Sequence, residues 1–234
     1  MVRTWKGLNH KNIVPFLGIV YGFDQCDRAA LVSSWMPNGT LKDFLAKHDD
    51  QLTVSRCLQL LLDIARGLLY LHSSPLIHGY LTCNNVLLDA NDNACLTDFG
   101  YAEIPEVLSY LGASTMRVST LRWATPKQIK DAPQRTTKND IYSFGNLALE
   151  LFSGKQPWSE IQQDVVVMML PSQSKKPSRP KSRPMDDQYW EFILRCCSNV
   201  QQRPSAKEIV PILEHFLAAS LPPSQSARGV STAA

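Results

Sequence analysis

The chain has 234 residues, 44% of them hydrophobic and 19% charged, which is enough to bury a core as one domain or as two small lobes. A net charge of +3 is too small to point to nucleic acid. The start, Met-Val-Arg-Thr-Trp-Lys-Gly, has no apolar signal core, and no run of about 18 apolar residues is present to span a membrane.

The six cysteines are Cys26, Cys57, Cys83, Cys95, Cys196 and Cys197. They form no C-x-x-C pair, and no histidine joins them at zinc spacing, so neither a disulfide framework nor a metal centre is expected. Reduced thiols of an intracellular protein, in the cytoplasm or the nucleus, are the expectation.

In chain order, residues 1–10 read as the tail of a helix, with Trp5 and Leu8 on one face. Ile13 to Val20 reads as a strand and Ala29 to Ser33 as its partner, with a turn over Gly22 to Arg28. Ser34 to Thr40 carries the turn residues of a connector, and Thr40 caps a short helix from Leu41 to Lys47. Leu58, Leu61, Leu62, Ala65, Leu68, Leu69 and His72 recur at helical spacing, which predicts a core helix from Val54 to His72 that Pro75 stops. Tyr101 to Pro126 is irregular and rich in Ser and Thr. An apolar helix opens at Asn139 and ends near Phe152, with Gly154 just past its end. Lys175 to Arg183 is basic and proline-rich and reads as an exposed loop. Tyr189 to Cys197 is helical, and Ser205 caps a last helix to about Ala219. The remainder, rich in Pro, Ser and Ala, is expected to be disordered.

Between the two core helices lies the stretch on which the functional reading turns. His78, Leu81 and Asn85, followed after a short strand pair by Asp98-Phe99-Gly100, resemble the catalytic loop and metal-binding strand of eukaryotic protein kinases, H-R-D-L-x-x-x-N and D-F-G. Further motifs in the right order extend the resemblance over residues 1 to 219: Leu8-Asn9-His10-Lys11-Asn12-Ile13-Val14, Ser34-Trp35-Met36-Pro37-Asn38-Gly39-Thr40-Leu41, Asp140-Ile141-Tyr142-Ser143-Phe144-Gly145 and Arg203-Pro204-Ser205. It is closest to the tyrosine-kinase-like group, whose members are mostly Ser/Thr kinases. The resemblance implies an α+β, protein-kinase-like fold. Residues 1–37 would be a remnant of the small lobe with one β-hairpin, residues 38–219 a mainly helical large lobe, and residues 220–234 a disordered tail.

The resemblance also implies roles. ATP and Mg²⁺ would be the cofactors. Ser33 would be the gatekeeper, Ser34 and Met36 would offer backbone groups to adenine, and Leu87 would floor the pocket. Asn85 and Asp98 would hold the metal on the phosphates. Asp140 would bind the loop backbone near His78, and Phe16, Phe99, His78 and Trp5 would stack as an apolar column.

Several departures bear on catalysis. Tyr80 occupies the position of the catalytic Asp, and a phenol, which ordinarily titrates at about pH 10, is neutral at pH 7 and does not replace a carboxylate. Losing a general base costs about 10²–10⁴ in rate. Thr82 replaces the loop Lys, and Gly79 replaces the loop Arg, the usual partner of a phosphorylated activation segment. Ser114, Thr115, Ser119 and Thr120 therefore read as ordinary loop hydroxyls. No glycine-rich loop, strand Lys or helix Glu can be assigned, and the helix Glu position falls on Met1. Lys127 stands where the family has the Glu that pairs with Arg203, so Lys127 is expected to turn to solvent and Arg203 to find another acceptor.

Two main readings follow, beside a third, a structural fragment with no nucleotide site. One is a catalytically impaired kinase domain that acts by binding a protein partner or an active kinase in signalling. The other is a fragment of a longer Ser/Thr kinase, suggested by a start in mid-helix. The basic loop Lys175, Lys176, Arg179, Lys181 and Arg183 reads as a solvated insertion or as a site for an acidic partner or membrane surface.

Overall fold

The computed structural model describes residues 5–22, 29–99, 122–124, 136–170, 175–180 and 185–221. Expectations about Met1, the Gly22 to Arg28 turn, the serines and threonines of 114–120, Lys127, Lys181, Arg183 and the tail beyond 221 lie outside these residues.

Two strands, β1 (Phe16–Tyr21) and β2 (Ala29–Ser33), pair antiparallel from Phe16↔Ser33 to Tyr21↔Ala29. The sequence places the first strand too early. Pro15 has no N–H to give a ladder. The segment before it docks elsewhere: Leu96 donates to the Asn12 carbonyl at 2.9 Å, and Val14 donates to the Leu96 carbonyl at 3.0 Å. Residues 5 and 6 are the end of the expected helix. Trp5 is buried and donates its indole N–H to the Val14 carbonyl at 2.9 Å, while Leu8 packs at the edge of the core.

The helices follow the hydrophobic pattern closely. Helix α1 is Leu41–His48, and the Thr40 hydroxyl accepts the Asp43 amide at 3.0 Å as its cap. Helix α2, Val54–Ser73, is capped by Thr53, whose hydroxyl accepts from the Arg56 amide, and it buries Leu58, Leu61, Ile64, Ala65, Leu68 and Leu71. Strands β3 (Val86–Leu88) and β4 (Ala94–Leu96) form a second antiparallel pair. Helix α3, Thr137–Ser153, is buried from Asn139 to Ser153 and closes on Gly154 at φ 68°. A short α4, Asp164–Met169, has no counterpart among the sequence expectations. Its run of three valines reads as strand by propensity. Helices α5 (Asp187–Cys196) and α6 (Ala206–Ser220) complete the fold. Ser205 and Glu208 make a capping box at the start of α6, with the Ser205 amide donating to the Glu208 carboxylate at 2.7 Å.

Helix α2 is the central member. It packs against α6, α3 and β4, and α3 packs in turn against α5. Two glycines set how closely these elements approach. A methyl group on Gly67 would stand 2.8 Å from the Asn12 carbonyl oxygen and 2.9 Å from Leu96, and one on Gly145 would stand 2.7 Å from Cys196 Cβ. The thiols of Cys57, Cys83, Cys95, Cys196 and Cys197 are buried. Burial pushes the Cys95 thiol up to about 11 and Cys197 up to about 12, so both stay protonated and unreactive at neutral pH. Among the described residues, no helix is long and apolar enough to cross a membrane.

Candidate functional site

Helix α3 builds the site from below. Asp140, in its first turn, is almost wholly buried, and its carboxylate accepts three donors. These are the His78 amide at 2.9 Å, the Gly79 amide at 2.8 Å and His72 Nε2 at 2.8 Å. A buried carboxylate is stable only when its lone pairs are satisfied. Here the satisfying groups are the backbone of the 78–80 turn and the end of α2, so the charge fixes the loop to both core helices. His72 entered the sequence reading as one more periodic core position, and its role as a third anchor was missed. A histidine at the end of an apolar helix, six residues before the loop, was the available signal.

Gly79 also matters through its backbone conformation. Its φ is 81°, in the left-handed region where a side chain is strained. Replacing the family's Arg with Gly removes a charge, and it also relaxes the backbone that Asp140 holds.

Above this anchor the loop turns through Tyr80 and a 3₁₀ turn at Cys83–Asn85. Asn85 Nδ2 donates to the Tyr80 carbonyl at 2.7 Å. The Tyr80 amide lies 3.3 Å from His78 Nδ1, and the Tyr80 side chain is half-buried. The Asn85 carbonyl accepts the Thr97 amide at 3.1 Å, which carries the β3–β4 pairing to the residue before Asp98. Asp98 has φ 56°, a conformation that Asp tolerates better than most residues. Its side chain is exposed, yet desolvation by the surrounding protein raises its carboxyl above the ordinary value.

Phe99, buried beside it, continues a line of rings. His78 and Phe99 lie 6.3 Å apart, Phe99 and Trp5 5.7 Å, and Trp5 and Phe16 5.2 Å, all tilted or edge-on. Such geometry is favourable beyond simple burial. The line joins the loop to β1. Complete burial draws the His78 pKa down to about 4.

The strand-to-helix connector is fixed by backbone bonds of its own. The Ser34 amide donates to the Pro15 carbonyl at 3.1 Å, and the Met36 carbonyl accepts from Gly39 at 3.2 Å. The Ser34 carbonyl and the Met36 amide take no part in these two bonds. Leu87, half-buried on β3, bridges to Thr40.

Two further groups hold the segment beyond the loop. Glu150, a carboxylate inside the apolar stretch of α3, accepts from Cys83 Sγ and Trp123 Nε1, each at 3.1 Å. Burial raises its pKa. A single acid among Leu-Ala-Leu-Glu-Leu was visible in the sequence and was passed over. Arg122 is buried, with Nε donating to Asp164 at 2.7 Å and its other nitrogens to the carbonyls of Pro157, Trp158 and Ile161. Arg203 resolves differently from an ion pair. Its described partners are the carbonyls of Ser198 at 2.7 Å and Lys138 at 3.1 Å, with the Tyr142 ring 4.9 Å from the guanidinium.

Residues 2–213 match the family described as protein tyrosine and serine/threonine kinase. The serine/threonine-protein kinase CTR1 of Arabidopsis thaliana is 32% identical over 95% of this chain and 27% of its own length. The serine/threonine-protein kinase STY46 of the same organism is 29% identical over 92% of this chain and 36% of its own. The probable serine/threonine-protein kinase drkB of Dictyostelium discoideum is 29% identical over 91% of this chain and 30% of its own. This chain belongs to the protein kinase family, with a mainly helical body and a two-stranded hairpin, and its similarity to these relatives agrees with the tyrosine-kinase-like resemblance. It spans about a third or less of the length of these relatives.

Proposed function

We propose that this kinase domain is impaired in phosphoryl transfer and works by binding a protein in signalling. The observation that carries the reading is Tyr80. Its backbone is held where the loop requires it, by Asn85 and by Asp140 through the neighbouring turn, while its side chain is a phenol at the base position. Thr82, buried at the position of the loop Lys, is a second loss on the substrate side.

The metal side of the site is better kept. Asn85 Oδ1 and the Asp98 carboxylate would hold Mg²⁺, a hard cation suited to two oxygen donors. When bound, the metal would neutralise charge on the nucleotide phosphates. The Ser34 carbonyl and the Met36 amide would meet adenine, with Leu87 beneath it. Residues 1–37 act in this reading as a small-lobe remnant and residues 38–219 as the large lobe.

The test is phosphate transfer from labelled ATP, with Mg²⁺ or Mn²⁺, to generic protein substrates. The expected result is no transfer above the Asp98→Ala background. Clear transfer that Asp98→Ala abolishes overturns the proposal. A second reading, a portion of a longer Ser/Thr kinase, draws support from the short share of each relative's length that the chain spans. Assaying the full gene product beside its Tyr80→Asp variant separates the two. Activity in both forms favours the enzyme, and activity in neither favours the binding role.

A further inference from the structure

A recess of about 350 Å³ opens between the end of α3 and the segment 175–180. Its walls include Leu149, Lys155, Trp158, Ser178, Arg179 and Pro180. Leu149 and Trp158 are buried and Pro180 half-buried, so the floor is apolar, while Lys155 and Arg179 stand exposed at its edge. The size lies within the range of pockets that hold a small ligand or one or two side chains.

The surrounding charge is positive. Lys175 and Lys176 are exposed on the segment that forms one wall. Two carboxylates oppose this. Glu160 lies on the recess itself, and Asp187 is already bound by Arg179 at 2.6 Å. That ion pair, with the bond from Arg179 to the Met185 carbonyl, ties the basic wall to the start of α5. The wall is therefore placed before any partner arrives, which lowers the ordering cost of binding.

We infer that this recess is a docking site for an acidic peptide segment of a partner protein, one apolar side chain entering between Trp158 and Pro180 and flanking carboxylates meeting Lys155, Arg179 and Lys175. The apolar floor accounts for the anchor, and the basic rim accounts for the flanking charge. The inference rests on the reading that the domain works by binding, and it names the chemistry of what is bound.

The probe is a fluorescein-labelled peptide, Glu-Glu-Leu-Glu-Glu, titrated with the full chain and read by anisotropy. Saturable binding is expected, weakening about tenfold as salt rises from about 0.05 M to about 0.3 M. Replacing every Glu by Gln, or the Leu by Ser, is expected to remove it. Lys155→Glu is expected to weaken it by about tenfold. Ser178→Trp, which fills the recess from an exposed position, is expected to block it, with an unchanged melting temperature showing that each variant is folded. Equal binding of the Gln peptide overturns the proposal. So does unchanged binding by both variants, and so does capture of phosphatidylserine vesicles without binding of the peptide. Phosphate transfer plays no part in this assay, so its failure is distinct from a failure of the reading that transfer is impaired.

Discussion

Helix α3 and the β1–β2 hairpin are at opposite ends of one scale. Every residue of α3 from Asn139 to Ser153 is buried, polar ones included, because Asp140, Ser143 and Glu150 each bind something outside the helix. The hairpin leaves Leu17 at 64% and Tyr21 at 67% exposure, and the connector beside it leaves Trp35 at 87%. A two-stranded hairpin is marginal by itself in water. This one is attached through Phe16, the ring of Trp5 and the Pro15–Ser34 bond. The comparison explains how the loop keeps its form. The 78–80 turn is held from the α3 side by a buried carboxylate, and its link to the hairpin is the line of rings through Phe99 and Trp5.

Substitutions at the two ends should therefore differ widely. The largest effect is expected for Asp140→Ala, which leaves the His78 and Gly79 amides buried without an acceptor. The loss is about 4 kcal/mol, read from urea unfolding. Acid should act on the same turn. Burial holds the His78 pKa at about 4, well under its ordinary 6.5, so the unfolded chain takes up the proton first as pH falls. The stability His78 contributes is complete above pH 6.5 and is lost as pH drops to about 4. It amounts to about 3 kcal/mol, and His78→Phe should flatten that part of the pH profile. Glu150 has the opposite sign. Its raised pKa means that stability falls as pH climbs from the ordinary carboxylate value through the folded one.

Gly67→Ala comes next. The added methyl meets the Asn12 carbonyl oxygen and Leu96 under 3 Å, where α2 crosses β4, and overpacking there is expected to cost about 2 kcal/mol in thermal unfolding. The smallest effect is expected in the hairpin. Leu17→Ala should change stability by no more than about 0.5 kcal/mol, because little of the side chain leaves water on folding. A loss near that of Asp140→Ala would show that the hairpin belongs to the same cooperative core.

How much was legible follows from the kind of signal each region carries. The long helices were readable because apolar residues at 3.6-residue spacing must face one core, and Thr40, Gly154 and Ser205 punctuate the helices by ordinary capping chemistry. The placement of β1 failed on a tertiary fact. The residues before Pro15 lend their backbone to Leu96, far along the chain. Helix α4 failed on length and composition, being six residues with three consecutive valines. In the site, motif spacing picked out Asn85, Asp98 and Asp140 as candidates, and the structure shows the Asp140 carboxylate on the His78 and Gly79 amides. Motif spacing could not show that Gly79 sits at a positive φ, that His72 shares the carboxylate, or that Glu150 ties Cys83 to Trp123. Those facts come from backbone conformation and from pairings across tens of residues, which no local window contains.

The claim that the Asp140 carboxylate, rather than the hairpin, fixes the 78–80 turn can be measured directly by amide hydrogen exchange at His78 and Gly79. Both amides are expected to exchange as slowly as the core amides of α3, and far more slowly than those of β1, in the wild-type chain and in a Leu17→Ala variant alike. Exchange at His78 and Gly79 as fast as in the hairpin, or accelerated by the hairpin substitution, would contradict it.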